Sequence, residues 1–481
     1  MTPHAVRTPG WLVGVLLVLP WIHPWAPGPQ SNTVPLLIGW ASLALLLTLA
    51  RLPSALELAH AWGCAALLSS AMGLLQYFGE AGQLGGWVHV PAWLGDAVGN
   101  LRQRNQLATL TSIGAVAVLW WQTQGLSRPQ ALWMLGLLAF GNAATGSRTG
   151  LLQWLLLPVL CLLWQVTARP RRAVWSWPLL LWGMGMYLLA SLLLPHLLTV
   201  WQGTAVNSAM ARMGDMSGCG SRSVLWGNAL HLISLRPWGG WGWEEIKYAH
   251  YITTYPGTRF CDILGNAHNL PLHLAVTLGI PVAGLLCVAL LVLLWRARPW
   301  QLAHAQASLA WGVLAVIGLH SLLEYPLWYA PFQLALMWGV LLLQPSFEGW
   351  WTRHHRAVQT LAIGALGLVG LIAYDYARMR QIYLPATERF APWRADPWDA
   401  ARHTVFFEPA YRFAQLTTTR VSAGNAIWTL DMGQQMLHYS PEPRIVQAVI
   451  DSARLLGRDD LVTLHQQRMQ QAFPNSARST P

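Results

Sequence analysis

Charged side chains are scarce in this chain. Only 10% of its 481 residues are Asp, Glu, Lys or Arg, whereas soluble globular chains carry about 25%. Hydrophobic residues make up 54% of the chain, with 30 tryptophans among them, and the mean hydropathy is +0.36. This composition excludes an ordinary soluble protein and indicates a membrane protein.

Lysine is nearly absent, since Lys247 stands against 29 arginines. Two explanations of this excess are equally good. One is codon bias, and the other is a need for guanidinium groups that match phosphate oxygens. The net charge of +11 does not indicate nucleic-acid binding. Much of it is the positive charge that membrane proteins keep in their cytoplasmic loops.

Cysteine is also rare, with five residues. Cys64, Cys161 and Cys287 lie within apolar stretches, where cysteine acts as a small hydrophobic residue. Cys219 and Cys261 lie in one large polar loop and can pair in an oxidising compartment. That bond would close a loop of about 43 residues and contribute about 4 kcal/mol in the chain-entropy treatment, but two free thiols fit the sequence equally well. No metal-ligand spacing appears, so we predict neither a metal nor a cofactor.

Long apolar runs dominate what is present. Stretches of the length that crosses a bilayer, about 17–25 residues, recur about eleven times, so we predict an all-α polytopic protein with eleven to twelve transmembrane helices. A signal peptide at the first stretch is disfavoured, because no small-residue cleavage site follows it. The predicted spans are 12–26, 34–50, 58–78, 106–121, 130–145, 150–167, 174–194, 270–295, 303–319, 328–343 and 357–374.

Basic residues in the short loops orient these spans. If Arg7 is cytoplasmic, nine further arginines fall in cytoplasmic loops and only Arg102, Arg104 and Arg148 fall in short loops on the opposite side. We therefore predict four domains: an N-terminal transmembrane bundle (1–194), a large outer loop (195–268), C-terminal transmembrane helices (269–374) and a soluble outer domain (375–481). The cytoplasmic arginines of the loops are Arg51, Arg128, Arg169, Arg171, Arg172, Arg296, Arg298, Arg353 and Arg356.

The large outer loop and the polar tail both show helical periodicity. In the loop, "SRSVLWGNALHLISLRPWGGWGW" predicts an amphipathic helix that stops before Pro237, followed by glycine-spaced tryptophans. Such a loop lies on the membrane surface or forms a packed cap. In the tail, apolar residues at three- and four-residue steps predict helices over Ala426–Tyr439, Pro443–Leu456 and Asp460–Phe473, with Asp459 as the cap of the last. This pairing is similar to a tetratricopeptide hairpin without a clear 34-residue period, and it suits protein binding or a lid.

Five polar clusters fall on the predicted outer side, near the ends of spans, where an unpaired polar group is costly. They are "LRQRNQLA" with Arg102, Arg104 and Asn105; "TGSRTG" with Arg148; "CGSRSVLWGNAL" with Arg222; His268-Asn269 at the start of the eighth span; and "HSLLEYPLWYAPF" with His320, Glu324 and Tyr325.

Several arginines and a histidine on the same side of the membrane suit an anionic, lipid-linked substrate. A guanidinium fork matches phosphate oxygens, a histidine can take a proton from a hydroxyl, and cations stabilise a departing diphosphate. Each residue has a plainer interpretation as well. Arg148 can cap helix carbonyls, Arg222 can lie on a solvated face, and His268 can bond to backbone. His273, one turn further, is best interpreted as a core histidine, and Glu324 needs a partner whatever its role.

The same stretches resemble those of bacterial membrane ligases that include lipopolysaccharide O-antigen ligases, Wzy-type polymerases and PglL-type protein O-oligosaccharyltransferases. A large loop ends in His268-Asn269-Leu270-Pro271-Leu272, with Gly279 after it. "RQRNQLA", "EYPLWY" and the tail resemble the protein-glycosylating branch. The resemblance implies a multi-pass protein of the bacterial inner membrane with its large loop and tail in the periplasm. It also implies an undecaprenyl-diphosphate-linked oligosaccharide as donor and a pilin-like periplasmic protein as acceptor.

Roles follow from this resemblance. His268 would act as base on the acceptor hydroxyl or orient it, and Asn269 would position the histidine or bind sugar. Arg148 and Arg222 would hold the diphosphate, with Arg102 and Arg104 assisting, and Asn105, His320, Glu324 and Tyr325 would shape the pocket. The alternatives are an O-antigen ligase acting on lipid A-core, a polymerase, and a transporter of lipid-linked oligosaccharide. A transporter more often shows internal repeats and charges at the midplane of its spans.

Overall fold

The computed structural model describes residues 9–49, 51–167, 174–203, 218–344 and 346–474. All regular structure in these residues is helical, with nineteen α-helices, six short 3-10 turns and no strand. The prediction of an all-α fold is thus confirmed for the described part of the chain.

The first fourteen helices cover the apolar stretches and the helical parts of the large loop. Their order follows the predicted spans, with two additional helices in the loop. They are α1 (Gly10–Ile22), α2 (Thr33–Thr48), α3 (Ala55–Tyr77), α4 (Arg104–Thr123), α5 (Arg128–Thr145), α6 (Arg148–Thr167), α7 (Trp177–Gln202), α8 (Arg222–Leu235), α9 (Ile246–Ile252), α10 (Leu270–Leu278), α11 (Ile280–Ala297), α12 (Ala307–Ser321), α13 (Ala330–Leu342) and α14 (Phe347–Arg380).

Five of these helices are both long and apolar enough to cross a bilayer: α3, α6, α7, α11 and α14. Four more, α1, α2, α12 and α13, are apolar but shorter. Large apolar side chains on α11, such as Leu285 and Leu291, are exposed along the helix, as lipid-facing residues are. The chain is an α-helical membrane protein, while the count of eleven spans and the orientation stay predictions.

Two predicted spans differ from the observed helices. The eighth is broken at Gly279, which has a positive φ of 83° and separates α10 from α11. The apolar pattern runs through this position without interruption, although Gly279 and Pro281 are residue types that end and begin helices. The eleventh predicted span, 357–374, corresponds to α14, which extends well beyond it at both ends.

Helix α4 lies at the centre of its bundle, packed against α3, α5, α6 and α12. Its residues from Gln106 to Trp120 are all buried, although several are polar. Thr111 and Ser112 bond to the carbonyl of Ala108 at 2.8 Å each, which satisfies their hydroxyl groups inside the helix. The central helix is therefore less apolar than the helices that face lipid.

The chain divides into two compact units. The first comprises Met1–Asp215 with Leu294–Gly370, and the second comprises Met216–Leu293 with Leu371–Pro481. Most of the large loop and the polar tail thus belong to one unit, and two of the three boundaries fall within α11 and α14. The tail contains α15 (Pro397–Arg402), α16 (Glu408–Thr418), α17 (Ala426–Tyr439), α18 (Pro443–Leu455) and α19 (Asp459–Ala472).

The predicted loop helix is confirmed as α8, which ends two residues before Pro237. Its apolar face, including Leu225, Ala229 and Leu232, packs in a cluster with residues of α9 and α10. Trp238, by contrast, is 80% exposed. The helix itself is therefore packed against other helices of the second unit.

The three predicted tail helices are also confirmed, as α17, α18 and α19. They share a core with Val446, Val449 and Ile450 at its centre. One detail was wrong: α19 begins at Asp459, so that Arg458 and not Asp459 takes the cap position. Helices α15 and α16 were missed, because each is short and begins beside a proline.

Candidate active site

Three distant segments of the first unit meet at Asn105, in the first turn of α4. Its Nδ2 donates a hydrogen bond to Oε1 of Glu324 at 2.9 Å. Its Oδ1 accepts one from the hydroxyl of Ser147 at 2.6 Å. Since Glu324 is only 5% exposed, a hydrogen bond to its carboxyl group offsets part of the cost of burial. The structure thus joins the motifs "RQRNQLA", "TGSRTG" and "EYPLWY".

The motif "TGSRTG" ends one helix and begins the next. Gly146 takes the left-handed conformation that closes α5 (φ 56°), which glycine adopts without steric cost. The hydroxyl of Ser147 accepts a hydrogen bond from the amide of Gly150 at 3.0 Å and so caps α6. Arg148 is the first residue of α6 and is exposed.

Arg222 repeats this arrangement in the second unit. It is the first residue of α8, and the hydroxyl of Ser221 caps that helix by accepting from the amide of Val224 at 3.3 Å. A helix N-terminus carries partial positive charge and attracts anions. Neither α6 nor α8 has an acidic residue in its first turn, so each arginine adds to that positive field, as an anion-binding position requires.

Arg102 and Arg104 are engaged in local contacts. Arg104 forms an ion pair with Asp96, in the loop before α4. Arg102 has a left-handed backbone (φ 61°) and donates to the carbonyl oxygens of Pro24 at 2.7 Å and Ala26 at 3.3 Å. Both arginines thus help to hold the segments around the start of α4.

His320 and Tyr325 have different surroundings. His320 is 1% exposed, and its Nδ1 lies 2.8 Å from the hydroxyl of Thr109, which also accepts from Nε2 of Gln153 at 2.9 Å. This buried network fixes α12 against α4 and α6, so His320 positions the helix that leads to Glu324. Tyr325 is partly exposed and stacks on Tyr329, with ring centroids 5.9 Å apart.

His268 lies two residues before α10 in the second unit and has a left-handed backbone, with φ 50°. Its amide donates to Oδ1 of Asn266 at 2.9 Å, and its side chain is half-buried. Left-handed backbone is uncommon outside glycine and occurs often at functional sites. Here it changes the direction of the backbone just ahead of the cap of α10.

Asn269 is the cap of α10, because its Oδ1 accepts from the amide of Leu272 at 3.0 Å. This explains the sequence His-Asn-Leu-Pro, since proline is favoured in the first turn of a helix. His273 is buried at the next turn with its ring 6.0 Å from that of Trp243, and it therefore packs as a core histidine, as we expected.

The glycine-spaced tryptophans hold the far end of α10. The amide of Trp241 donates to the carbonyl of Val276 at 2.8 Å, and that of Ile280 donates to the carbonyl of Pro237 at 2.8 Å. A Cβ on Gly240 would lie 2.5 Å from the carbonyl carbon of Thr277, while Gly239 has open space. Only glycine permits this close approach at position 240.

The loop is also cross-linked to itself. Cys219 and Cys261 form a disulfide with 5.3 Å between their Cα atoms. Asn228 of α8 adds two bonds to the same segment, to the carbonyl of Thr258 at 3.0 Å and from the amide of Phe260 at 2.8 Å. These contacts join the start of α8, with Arg222, to the segment that leads to His268.

His250 of α9 is a buried group that sequence inspection did not single out. Its Nε2 lies 3.2 Å from the carbonyl of Phe260 and its Nδ1 lies 2.7 Å from the hydroxyl of Tyr255. A carbonyl only accepts, so Nε2 donates to it and the neutral ring accepts from tyrosine at Nδ1. Burial, together with the smaller effect of the nearby Arg259, lowers the pKa of His250 to about 3.

The same helix joins the loop to the tail. Oε2 of Glu245 lies 2.6 Å from Nδ1 of His438, and the hydroxyl of Tyr251 lies 2.8 Å from Nδ1 of His465. Lys247 donates to the carbonyl of Tyr439 at 3.2 Å. No spacing signal in the sequence could reveal these pairs, because the partners are about 190 residues apart or more.

In the part of the chain that the structure describes, metal-ligating groups do not assemble. Within the described residues, no three side chains of His, Cys, Asp or Glu lie close enough to hold a metal ion. The positive charge available to a substrate comes from arginines and helix N-termini.

Comparisons with known proteins match the same segments. The family described as protein glycosylation ligase matches residues 97–121, which include Asn105. The O-antigen ligase family matches residues 133–287, which include Arg148, Arg222 and His268. The C-terminal family of virulence factor membrane-bound polymerases matches residues 308–480, which include Glu324 and the tail. Over these three segments the chain is similar to proteins of the O-antigen ligase and PglL type, which are enzymes of the glycosyltransferase kind.

A curated relative agrees with this assignment. A general O-oligosaccharyltransferase of Acinetobacter baylyi is 24% identical over 288 residues, which cover 57% of this chain and 47% of the relative. The chain thus spans about half the length of the relative it matches. No solved structure matches the chain.

Proposed function

We propose that this chain transfers a preassembled oligosaccharide from undecaprenyl diphosphate to a serine or threonine hydroxyl of a periplasmic protein such as a pilin. The main support is the match of residues 97–121 to the protein glycosylation ligases, in the segment where Asn105 joins Ser147 and Glu324. The enzyme would lie in the bacterial inner membrane with its loop and tail in the periplasm.

In the proposed reaction, His268 takes the proton of the acceptor hydroxyl, or orients that hydroxyl for attack. The hydroxyl oxygen forms a bond to the anomeric carbon of the first sugar, and the bond from that carbon to the diphosphate oxygen breaks. The electron pair leaves with undecaprenyl diphosphate. A single displacement of this kind inverts the configuration of the anomeric carbon. Asn269 caps α10 and so keeps the backbone at His268 in place.

Arg148 and Arg222 have the principal role in stabilising the leaving diphosphate. Each begins a capped helix without an acidic residue in its first turn, so the guanidinium and the helix N-terminus act on an anion together. Arg102 and Arg104 assist at longer range, because their guanidinium groups already bind carbonyl and carboxylate oxygens. With the charge held by these cations, the departure of the diphosphate needs no metal ion.

The second candidate is transfer of the glycan to lipid A-core. The match of residues 133–287 to the O-antigen ligases favours it. The two candidates share the donor and differ in the acceptor, so the residues that bind diphosphate do not separate them.

A reconstituted assay tests the proposal. Purified protein receives undecaprenyl-diphosphate oligosaccharide, with and without EDTA, and either a pilin-type protein or lipid A-core. We expect glycan on the protein at a rate that EDTA does not change. Transfer only to lipid A-core would move the assignment to O-antigen ligase, and inhibition by EDTA would contradict the metal-independent step.

His268→Ala tests the role of the histidine. We expect transfer to be lost while the melting temperature and donor binding stay at their wild-type values. His231→Ala, which removes a partly exposed histidine of α8, is the matched control and should transfer normally. If the wild-type protein binds the donor but glycosylates neither acceptor, a transporter becomes the better assignment.

A further inference from the structure

A cavity lined by both polar and apolar side chains lies in the first unit, between the end of α1, the loop before α2, the start of α4 and the start of α13. Its volume is about 190 Å³, far above the roughly 10–15 Å³ that holds one water. It exceeds the roughly 150 Å³ of a cavity that takes a benzene-sized ring. The space therefore suits one six-membered ring.

The polar lining of the cavity is mostly uncharged. Four amide side chains line it: Asn32, Asn100, Gln103 and Gln106. An amide both donates and accepts hydrogen bonds, which matches a ligand rich in hydroxyl groups. No carboxylate is among the residues that line it, so a cation is a poor ligand for this cavity.

The amide of Asn32 is only half satisfied by protein. Its Nδ2 donates to the carbonyl of Trp328 at 2.9 Å, while its Oδ1 is buried and has no hydrogen-bond partner among the described residues. Asn100, in contrast, is fully used, because it donates to the carbonyls of Ile22 and Trp87 and accepts from the amide of His89. Asn32 therefore keeps an acceptor for a donor that protein does not supply.

One cation, Arg102, lines the cavity, and its guanidinium holds the loop before α2 through the carbonyls of Pro24 and Ala26. Trp21 and Tyr329 add apolar ring surface. Hydroxyl-binding amides beside aromatic rings suit a sugar, which has polar edges and apolar faces, better than they suit a phosphate.

The cavity wall continues into the hydrogen-bonded network at Asn105. Gln106 is the next residue of α4 and lines the cavity with Tyr329, whose ring stacks on that of Tyr325. Tyr325 in turn follows Glu324, the partner of Asn105. A ring bound in the cavity would thus contact the segment that the protein glycosylation ligases share.

We propose that this cavity is a subsite for one sugar ring of the donor glycan. The inference rests on the proposed function for the source of the sugar, because the geometry alone identifies a hydroxylated ring. It assigns Asn32 and Gln106 to sugar binding and Trp21 and Tyr329 to contact with the ring.

The test fills the cavity and compares two lipids. Ala26 lines the cavity, and Ala26→Phe would occupy the space of the ring while leaving its carbonyl available to Arg102. Ala92→Phe, at an exposed loop position of the same unit outside the lining, is the matched control. Binding to full-length protein in nanodiscs is measured for undecaprenyl diphosphate alone and for the same lipid carrying the oligosaccharide of the transfer assay.

We expect Ala26→Phe to weaken binding of the glycosylated lipid at least tenfold and of the bare lipid less than twofold, with Ala92→Phe changing neither. An equal loss for both lipids would show that the cavity serves the diphosphate or the lipid, and no loss would show that it binds neither; either result overturns the proposal. If Ala26→Phe lowers the melting temperature, Ala26→Val is used instead and should weaken binding of the glycosylated lipid by a smaller factor.

The sugar subsite and the transfer reaction can fail independently, because binding is measured without an acceptor. If the wild type prefers the glycosylated lipid and Ala26→Phe abolishes that preference, the subsite stands even where no glycan reaches a protein. If Ala26→Phe transfers and binds as the wild type does, the subsite is wrong while the transferase stands.

Discussion

The amide of Asn105 and the carboxyl of Glu324 are joined by a 2.9 Å hydrogen bond across 219 residues of sequence. Glu324 is buried, and Ser147 holds the other end of the same amide. Asn105 is therefore the centre of a junction of three segments, each of which lies in a different family match. Its role is to set the relative position of the starts of α4 and α6 and the end of α12.

Removing the amide should destabilise this junction. In Asn105→Ala, Oε1 of Glu324 loses a buried donor, and we expect the free energy of unfolding to fall by about 1–3 kcal/mol. Thermal unfolding in detergent measures the effect. The double variant Asn105→Ala with Glu324→Gln should be less destabilised than the sum of the two single variants, because they share one interaction. Strict additivity would contradict the importance of the bond.

Gly240 should tolerate no side chain. In Gly240→Ala the new Cβ meets the backbone at Thr277, so the end of α10 must shift, and we expect a lower melting temperature together with reduced transfer. Gly239→Ala adds the same methyl group to the neighbouring residue, where nothing lies within 4 Å, and should behave as the wild type. Equal effects of the two substitutions would show that the close approach is unimportant.

Acid should weaken the packed loop through His250. The folded protein keeps this histidine neutral, with a pKa of about 3, whereas the unfolded chain binds a proton below about pH 6.5. The contribution of His250 to the free energy of unfolding is therefore fully present above pH 6.5 and is lost as the pH drops towards 3. Between pH 7 and 5 the free energy of unfolding should fall by about 2 kcal/mol. Burial also lowers the pKa of His465, which acts in the same direction.

The melting temperature measured from pH 8 to pH 5 checks this dependence. His250→Gln should melt lower at pH 7, since it loses bonds to Tyr255 and Phe260, but its melting temperature should fall less on acidification. His354→Gln, at an exposed position of α14, should keep the wild-type dependence on pH. An unchanged dependence in His250→Gln would refute the assignment.

The arginines should be sensitive to shape as well as to charge. Arg148→Lys and Arg222→Lys keep a cation but lose the planar fork that binds two phosphate oxygens, so we expect donor binding to weaken about tenfold, and further in the alanine variants. Arg128→Lys is the control, because Arg128 also begins a helix, but Ser127 makes no capping bond there and the predicted topology puts it in a cytoplasmic loop. Equal binding by all three lysine variants would argue against the diphosphate role.

Apolar periodicity predicted the helical class, the loop helix and the three tail helices. These features depend on which side of a helix is buried, and that information is local in the sequence. The break at Gly279 was not predictable in this way, because the residues on both sides are equally apolar. It depends on the approach of Pro237 and Trp241, which lie about 40 residues earlier.

Only part of the candidate site could be predicted, again because contacts between distant segments leave no local signal in the sequence. Residue type and the resemblance selected Asn105, Arg148, Glu324 and His268, and three of the matched segments contain them. Asp96, Ser147, Thr109 and Gln153 were not selected, because a polar residue becomes informative only when its partner is known. The cavity beside Gln106 was also missed, since its walls come from four separate segments.

The bond between Cys219 and Cys261 has a consequence for how the protein reaches its final form. Such bonds are made in oxidising compartments and are rare in the cytosol. Its redox state in cells therefore reports which face of the membrane received the loop during biosynthesis. A chain inserted the opposite way would carry two thiols there, and alkylation before and after reduction would reveal the misplaced population without any measurement of activity.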